Sequence, residues 1–324
     1  MEVDVPVSQL LFPTREETSV KRTTAALTLN LAFLTALSLG AQEATDPAWK
    51  QVDGVFGTAG KDLAGGVHRF GWPRRDLRVR VGDVPVQPAL ALGSWGAFLK
   101  MGPNQAMAMG DLVLLESELT PVLTTLVAGG MEISAIHNHL VNESPHVIYL
   151  HFSGHGDAVA LARTLKQALG KTGTPMTAPA SSSSAASSPP AKPSADDERA
   201  FKTVQEGLGR TGTLAGTVLQ VGVPRAERIE ERGMEIPASM GMAIALNFER
   251  VGDRVATTGD FVLLAAEVNP VIRELRSHGI EVTALHSHML EETPRLFFLH
   301  FWGVDTPEKI AGGLKAALGR VHTK

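Results

Sequence analysis

The sequence predicts an α+β fold of two tandem homologous domains, each with antiparallel strands followed by a β-α-β-β-α unit, packed as a pseudo-dimer. The main observation is an internal repeat. Residues 110–152 align without a gap with residues 259–301, and 19 of the 43 positions are identical. The second observation is the segment between the copies, which is rich in Ser, Ala and Pro and lacks the large apolar residues of a core. The chain is therefore predicted to be one structural unit built twice.

Hydrophobic periodicity predicts the same elements in both copies. Strands are predicted at GDLVLLESE and GDFVLLAAE, and again where apolar and polar residues alternate in MEISAIHNHL and IEVTALHSHM. Between them, residues 119–130 and 268–279 predict helices, each with Pro in its first turn and Gly at its end. The turn-like NESP and EETP lead into the strands HVIYLHF and RLFFLHF, and closing helices follow in DAVALARTLKQAL and TPEKIAGGLKAAL.

The N-terminal region is typical of an exported protein. Lys21 and Arg22 precede an apolar run at residues 25–41 that ends in small residues, which is the pattern of a cleavable signal peptide. An acidic leader precedes the positive charges, which favours a true translation start near Val20. The chain has no cysteine to acylate, so we predict periplasmic or secreted placement without a stable membrane anchor after signal cleavage.

These patterns divide the chain into four predicted parts. They are a leader and signal peptide at 1–44, a first repeat domain at 45–170, a linker at 171–199 and a second repeat domain at 200–324. The net charge of -4 and the 5% aromatic content, without any basic block, exclude nucleic acid as a partner. The substrate expected is a small molecule or an envelope component, and the composition does not predict an oligomeric state.

Histidines are concentrated in the two predicted hairpins. Eight of the eleven lie in or beside them, and three repeat at identical offsets in each copy. Two of the three are two positions apart on a strand and so leave the same face, and the third returns on the partner strand. A turn near Pro145 would place His139 and His151 opposite each other. We therefore predict one three-histidine metal site per repeat, formed by His137, His139 and His151 in the first and by His286, His288 and His300 in the second.

Zinc is the predicted metal because three protein ligands and one open position are the usual catalytic zinc arrangement, with copper, iron and manganese as alternatives. Glu143 and Glu118 are the candidate catalytic residues, each matched by a glutamate in the second copy. Histidines that merely pack as hydrogen-bonded core residues, copied by the duplication, are the competing interpretation. The pattern H-x-H-x-x-x-E also begins a cupin motif, but helix-like segments within ten residues on each side argue against that all-β fold.

A weaker candidate lies upstream of the histidines. The stretch RFGWPRRDLRVRV carries Arg69, Arg74, Arg75 and Arg78 beside aromatic residues. An anionic substrate could dock there, although a solvated strand face is the expectation that the pattern favours.

The chain resembles the LppY/LpqO family of exported bacterial proteins. The resemblance rests on PRRDLRVRVGDVPVQPALALGSWGAF, AMGDLVLLESEL, HNHLVNESPHVIYLHFSGHGD and, in the second copy, ALHSHMLEETPRLFFLHFWG. It implies export and does not imply a substrate. The namesakes are lipoproteins, and this chain departs from them because it lacks cysteine.

The predicted function is an exported metal-binding protein, with metal-dependent hydrolysis as the simplest reaction. A non-catalytic metal-binding or buffering protein and a copper or iron redox protein are the alternatives. The third possibility is a structural or ligand-binding module.

Overall fold

A computed structural model describes residues 47–176 and 192–324. The chain from Thr45 to Lys324 forms one compact unit that contains both repeats. The predicted signal peptide and most of the predicted linker lie outside the described residues. Within the described part of the chain, no helix is long and apolar enough to cross a membrane.

The first repeat alternates long strands with three helices. Its elements are α1 (Pro47–Phe56), β1 (Lys61–Leu63), β2 (Val67–Pro73), β3 (Arg80–Val81), β4 (Val84–Pro85), β5 (Gly93–Gly102), β6 (Gln105–Leu115), α2 (Glu116–Ala128), β7 (Glu132–His137), β8 (Glu143–Ser144), β9 (Val147–Asp157) and α3 (Ala158–Leu169).

The second repeat follows the same order, with one additional 3-10 turn at Ala238–Met240. Its elements are α4 (Ala195–Leu208), β10 (Thr213–Ala215), β11 (Val218–Pro224), β12 (Glu230–Glu231), β13 (Met234–Glu235), β14 (Ala243–Val251), β15 (Arg254–Leu264), α5 (Ala265–Ser277), β16 (Glu281–His286), β17 (Glu292–Thr293), β18 (Leu296–Asp305) and α6 (Pro307–Leu318).

Each repeat is built on a six-stranded sheet. The strand orders are β1-β2-β5-β6-β9-β7 and β10-β11-β14-β15-β18-β16, and all paired neighbours are antiparallel. The run from β6 to α3 is the predicted β-α-β-β-α unit, and β15 to α6 repeats it. The α+β fold with two similar halves is confirmed.

The two faces of each sheet have different partners. In the first repeat, the side chains that alternate outwards, such as Phe70, Phe98 and Leu150, pack under α1, α2 and α3. The inward side chains pack against the other repeat, since Tyr149 shares one core cluster with Trp302 of the second sheet. The two sheets therefore lie face to face, with the helices outside.

Reciprocal hydrogen bonds join the repeats. Ser134 Oγ donates to the His288 carbonyl oxygen at 2.6 Å, and Thr283 Oγ1 donates to the His139 carbonyl oxygen at 2.6 Å. Ser134 and Thr283 are equivalent in the repeat alignment, as are His139 and His288. The contact is thus self-complementary, like the interface of a twofold dimer, and it confirms the predicted pseudo-dimer.

The helix starts differ from the prediction. The two helices begin at Glu116 and Ala265, so Pro121 and Pro270 lie inside them rather than in the first turn. The reason is that Glu118 Oε2 accepts a hydrogen bond from the Leu115 backbone N–H, which caps the helix three residues before the position that proline suggested. The helices α1 and α4 were not predicted.

Candidate metal centre

The longest strands place a carboxylate and an imidazole side by side in each repeat. Asp111 in β6 pairs with His151 in β9, and Asp260 in β15 pairs with His300 in β18. Directly paired residues point to the same face of a sheet, which here is the face that meets the other repeat.

A glycine before each aspartate lets the neighbouring strand approach closely. A Cβ atom at Gly110 would collide with the Trp95 carbonyl oxygen, and one at Gly259 would collide with the Ala245 carbonyl oxygen. Only glycine fits this backbone contact. In the repeated Gly-Asp pair, the glycine is thus required by the close approach of the strands, and the aspartate places a carboxylate beside an imidazole.

The remaining four imidazoles come from the ends of β7 and β16. His137 and His286 are the last residues of these strands, and His139 and His288 follow in the connecting loops. The predicted register was wrong, because His137 pairs with Tyr149 and Ala135 pairs with His151. The strand ends at His137 because the chain then leaves the large sheet, and β8 pairs with β3 in a small second sheet.

All six predicted histidines meet at the interface between the repeats. His137 and His286 are equivalent, and their rings stack on each other. The other four form two equivalent pairs across the interface. The ring centroids lie 3.6 Å apart for His137 and His286, 3.7 Å for His139 and His300, and 3.9 Å for His151 and His288.

The two predicted sites adjoin, and one possible metal-holding group contains the whole predicted site of the first repeat. Three groups of side chains offer ligand atoms within 4.8 Å of one another, two of these groups draw on both repeats, and all three share members. They are Asp111 with His137, His139 and His151; His137 with His286 and His300; and His151 with His286 and His288. Because β7 and β16 adjoin at the pseudo-twofold axis, the two predicted sites merge into one connected centre.

Many polar atoms of this centre lack hydrogen bonds. Of the eleven buried side-chain nitrogen and oxygen atoms without a partner in the described residues, nine belong to the six histidines and the two aspartates. Buried polar groups are normally satisfied, and each one left unpaired costs about 1–3 kcal/mol. Such a concentration indicates that a ligand completes the site.

Distances within the centre fit a metal ion. The Nε2 atoms of His151 and His286 lie 3.3 Å apart, and two nitrogen ligands of a tetrahedral ion at ~2.0–2.1 Å are about 3.3 Å apart. His139 Nε2 lies 3.3 Å from Asp111 Oδ2, and this nitrogen has no hydrogen bond of acceptable angle.

Backbone carbonyls orient two of the rings. His300 Nδ1 lies 2.8 Å from the Gly259 carbonyl oxygen, and His137 Nδ1 lies 3.2 Å from the Asn138 carbonyl oxygen. A carbonyl can only accept, so Nδ1 donates and Nε2 keeps its lone pair. In both residues Nε2 is buried and without a partner. This is the tautomer that metal ligation requires, fixed by the outer hydrogen bond.

Burial keeps the imidazoles neutral. It lowers the pKa of all six histidines, and the charges of neighbouring imidazoles lower the pKa of His139, His286 and His288 further. Burial raises the pKa of Asp260 to about 6. Neutral imidazole is the metal-binding form, so the histidines need not release a proton at neutral pH in order to bind an ion.

The carboxylate of Glu118, a predicted catalytic residue, is bound by groups other than the imidazoles. It accepts from both terminal nitrogens of buried Arg74, at 2.7 and 3.2 Å, and from the backbone N–H groups of Leu115 and Gly173. Glu267 makes the same bidentate pair with Arg225 in the second repeat. Each glutamate therefore joins the start of its helix, α2 or α5, to the arginine that follows β2 or β11.

Glu143 also has a local partner. Its Oε1 atom lies 2.6 Å from His146 Nδ1 and accepts from the Val147 backbone N–H. The equivalent Glu292 is bound by Arg295 and by the Leu296 backbone N–H. The glutamates hold the turn before β9 and β18, and neither belongs to the groups that could hold a metal. Asp111 and Asp260 are the carboxylates beside the imidazoles; their match in the repeat alignment could have identified them.

A cavity of about 780 Å³ opens beside the centre, between the two sheets. Four of the six imidazoles and both aspartates line it, whereas His137 and His286 do not. His137 and His286 at the pseudo-twofold axis are half-buried, whereas His151, His288 and His300 beside the cavity are buried. The size of the cavity is typical of a pocket for a small organic molecule.

Comparison with known proteins identifies a family. A family model described as a domain of unknown function, DUF1259, matches the chain twice, at residues 50–171 and 202–320. The chain therefore belongs to this family, with two tandem copies of the domain. The family model carries neither the LppY nor the LpqO name, so that resemblance stays a prediction. No curated protein and no solved structure matches the chain.

Proposed function

We propose that this member of the DUF1259 family is an exported metal-dependent hydrolase whose two repeats share one metal centre. The observation that carries the proposal is the convergence of six neutral imidazoles from both repeats, with nine buried nitrogen and oxygen atoms of the centre left without hydrogen bonds. A binding site with an open cavity on one side can admit a substrate. A duplicated core of packed histidines would need no such cavity.

Zinc is the metal we propose, since imidazole and carboxylate ligands without sulfur suit it well. The same ligands accept copper, iron or manganese. When bound, the ion supplies Lewis acidity and lowers the pKa of a coordinated water to about 7.

The chain's own residues have distinct roles in this proposal. His139, His151, His288 and His300 would hold the ion on the cavity side, and His137 and His286 would hold it at the pseudo-twofold axis. Asp111 and Asp260 take the base role that sequence reasoning had given to the glutamates, because they line the cavity and the glutamates are bound elsewhere.

A non-catalytic metal-binding protein is the second candidate. One observation favours it: His151, His288 and His300 are almost completely buried. Structural metal sites are closed, whereas catalytic sites keep an open position. The two candidates therefore differ in the role of the aspartates that line the cavity. In a hydrolase they take part in turnover, whereas in a binding protein they contribute to metal binding alone.

The first test is elemental analysis of the full chain purified without a histidine tag. A bound transition metal is expected in the wild type, and none in the double variant His137→Ala, His286→Ala. Absence of metal from the wild type, after supply of zinc, copper, iron and manganese in turn, would refute both candidates.

The second test is turnover of small ester and amide probes in excess metal. Asp111→Asn should lower kcat at least about 100-fold, as loss of a general base does, while Glu143→Gln serves as the matched control and keeps activity. A wild-type protein that holds metal and turns over none of the probes would support the binding protein instead.

Export is part of the proposal. It is supported by Lys21, Arg22 and the apolar run at 25–41. Fractionation of the native host should recover the protein outside the cytoplasm, with a new N-terminus just after Gly40 or Ala41. Recovery of the intact chain from the cytoplasm would refute it.

A further inference from the structure

The cavity beside the metal centre is unequal on its two sides. The register places Arg69, Trp95 and Ala97 on the cavity face of the first sheet, where the second sheet carries Gln220, Ala245 and Asn247. The metal ligands are equivalent in the two repeats, and these lining residues are not. The cavity therefore presents different side chains from its two sheets.

Arg69 is one of two cationic side chains in this lining, and the other, the exposed Lys61, pairs with it in register. The guanidinium carbon of Arg69 lies 4.1 Å from the centroid of the Trp95 ring, so the indole face supports the guanidinium plane. Its one hydrogen bond goes from Nη1 to the Ser239 carbonyl oxygen, at 3.4 Å. In the described part of the chain, no carboxylate lies within ion-pair distance of it.

The environment of Arg69 differs from that of Arg74 and Arg225, which are matched by bidentate glutamates. Burial lowers the pKa of Arg69 to about 10, so the group stays charged at neutral pH. An arginine that is partly desolvated and lacks an acidic partner can gain considerably from an anion placed in the cavity.

We infer that Arg69, supported by Trp95, binds the carboxylate of a small organic acid that extends to the metal centre. The inference rests on the proposed function and names its substrate class. A stacked guanidinium presents its N–H groups edge-on, and that geometry matches a planar carboxylate. The lining also contains the half-buried apolar side chains of Leu63, Ala91 and Ala245, and these favour an organic body.

The test uses the variant Arg69→Gln in the full chain. This variant introduces the residue that the second repeat already has at the equivalent position, where Gln220 Nε2 donates to the Ala89 carbonyl oxygen as Arg69 donates to that of Ser239. The fold is therefore expected to tolerate it. Arg75→Gln, at an exposed position nearby, is the matched control.

Binding of acetate, hexanoate, benzoate and inorganic phosphate is measured by calorimetry at low salt, with benzamide as the uncharged analogue of benzoate. At least one carboxylate should bind the wild type and Arg75→Gln equally, and Arg69→Gln at least about 10-fold more weakly, as expected for loss of a charge-assisted pair. Benzamide should bind weakly to all three proteins.

Metal content measured on the same samples separates the two proposals. Equal carboxylate affinity in wild type and Arg69→Gln, or binding of phosphate alone, would overturn the carboxylate site even if metal is present. Arg69-dependent carboxylate binding in a protein that takes up no metal would leave the site standing and refute the metal-dependent function.

Discussion

The two repeats agree at the pseudo-twofold axis and differ in the cavity. Each supplies three histidines and one aspartate at matching positions, and together these form one centre. Away from the axis, Tyr149 corresponds to Phe298, and Arg69 corresponds to Gln220. The comparison shows that the repeats supply equivalent residues to the candidate metal centre and different residues to the cavity beside it.

The comparison of the repeats also distinguishes the carboxylates that bind buried arginines from those that lie beside the imidazoles. Glu118 and Glu267 are equivalent, and both bind a buried arginine. Asp111 and Asp260 are equivalent, and both face imidazoles. Equivalence alone therefore does not reveal function, because a duplicated fold keeps its structural ion pairs as well as its ligands.

The largest effect is expected from removing one axial histidine. His137→Ala and His286→Ala should each abolish metal binding by the whole chain, because the two residues belong to overlapping ligand groups. Elemental analysis of each single variant measures the stoichiometry, with His278→Ala, at an exposed position outside the centre, as control. Retention of half the metal in either variant would show two independent sites.

The next effect tests the structural glutamates. Glu118→Ala and Glu267→Ala should each lower the free energy of unfolding by about 2–3 kcal/mol, because each removes charge-assisted hydrogen bonds to a buried arginine, which keeps only Asp76 or Glu227 as its acidic partner. Urea unfolding measures the change, and Glu116→Ala, which is exposed in the same helix turn, is the control. Unchanged stability with lost turnover in Glu118→Ala would restore its predicted catalytic role.

A smaller effect depends on pH and arises in the second repeat alone. Glu249 is buried where the first repeat has Leu99, and burial raises its pKa to about 7. The folded state therefore binds the proton more tightly, so stability is fully present below about pH 4.5 and falls as pH rises through 7. Glu249→Gln should be neutral at pH 4.5 and stabilising by about 2 kcal/mol at pH 8.

Thermal unfolding of Glu249→Gln at the two pH values gives this measurement, with Glu235→Gln on the exposed surface as the control. An equal effect at both pH values would show that the carboxyl does not titrate differently on folding.

The smallest effect is expected from the aromatic residue that stacks on one imidazole in each repeat. Tyr149 stacks on His139 and Phe298 stacks on His288, both at 3.4 Å between centroids. Only Tyr149 has a hydroxyl, which donates to the Ala91 carbonyl oxygen at 3.1 Å. Tyr149→Phe should keep the metal and cost about 1 kcal/mol in urea unfolding, whereas loss of metal would assign the hydroxyl to the centre.

Much of the fold could be predicted because it rests on local patterns. The gapless repeat alignment, the alternation in β7 and β16 and the closing helices α3 and α6 follow from periodicity. The helix starts were misplaced because Pro121 suggested a first turn, while Glu118 caps the helix earlier through a side-chain contact.

The site was predicted in part. The six histidines were identified as one chemical set, but the hairpin register was wrong by four positions in total, since His137 pairs with Tyr149. Glu143 was chosen for its spacing to histidine, and Glu118 because it matches Glu267 in the second copy and closes the preceding strand. Spacing could not show that Arg74 binds one of them and His146 the other.

The sequence by itself determined that this protein contains one α+β unit twice and that both copies carry the same imidazoles, because repeats and strand alternation are written in residue order. Only the tertiary structure decided that the imidazoles meet in one centre and that Arg69 lacks an acidic partner. Those two facts depend on how the sheets pack face to face, which brings together residues about 150 positions apart along the chain.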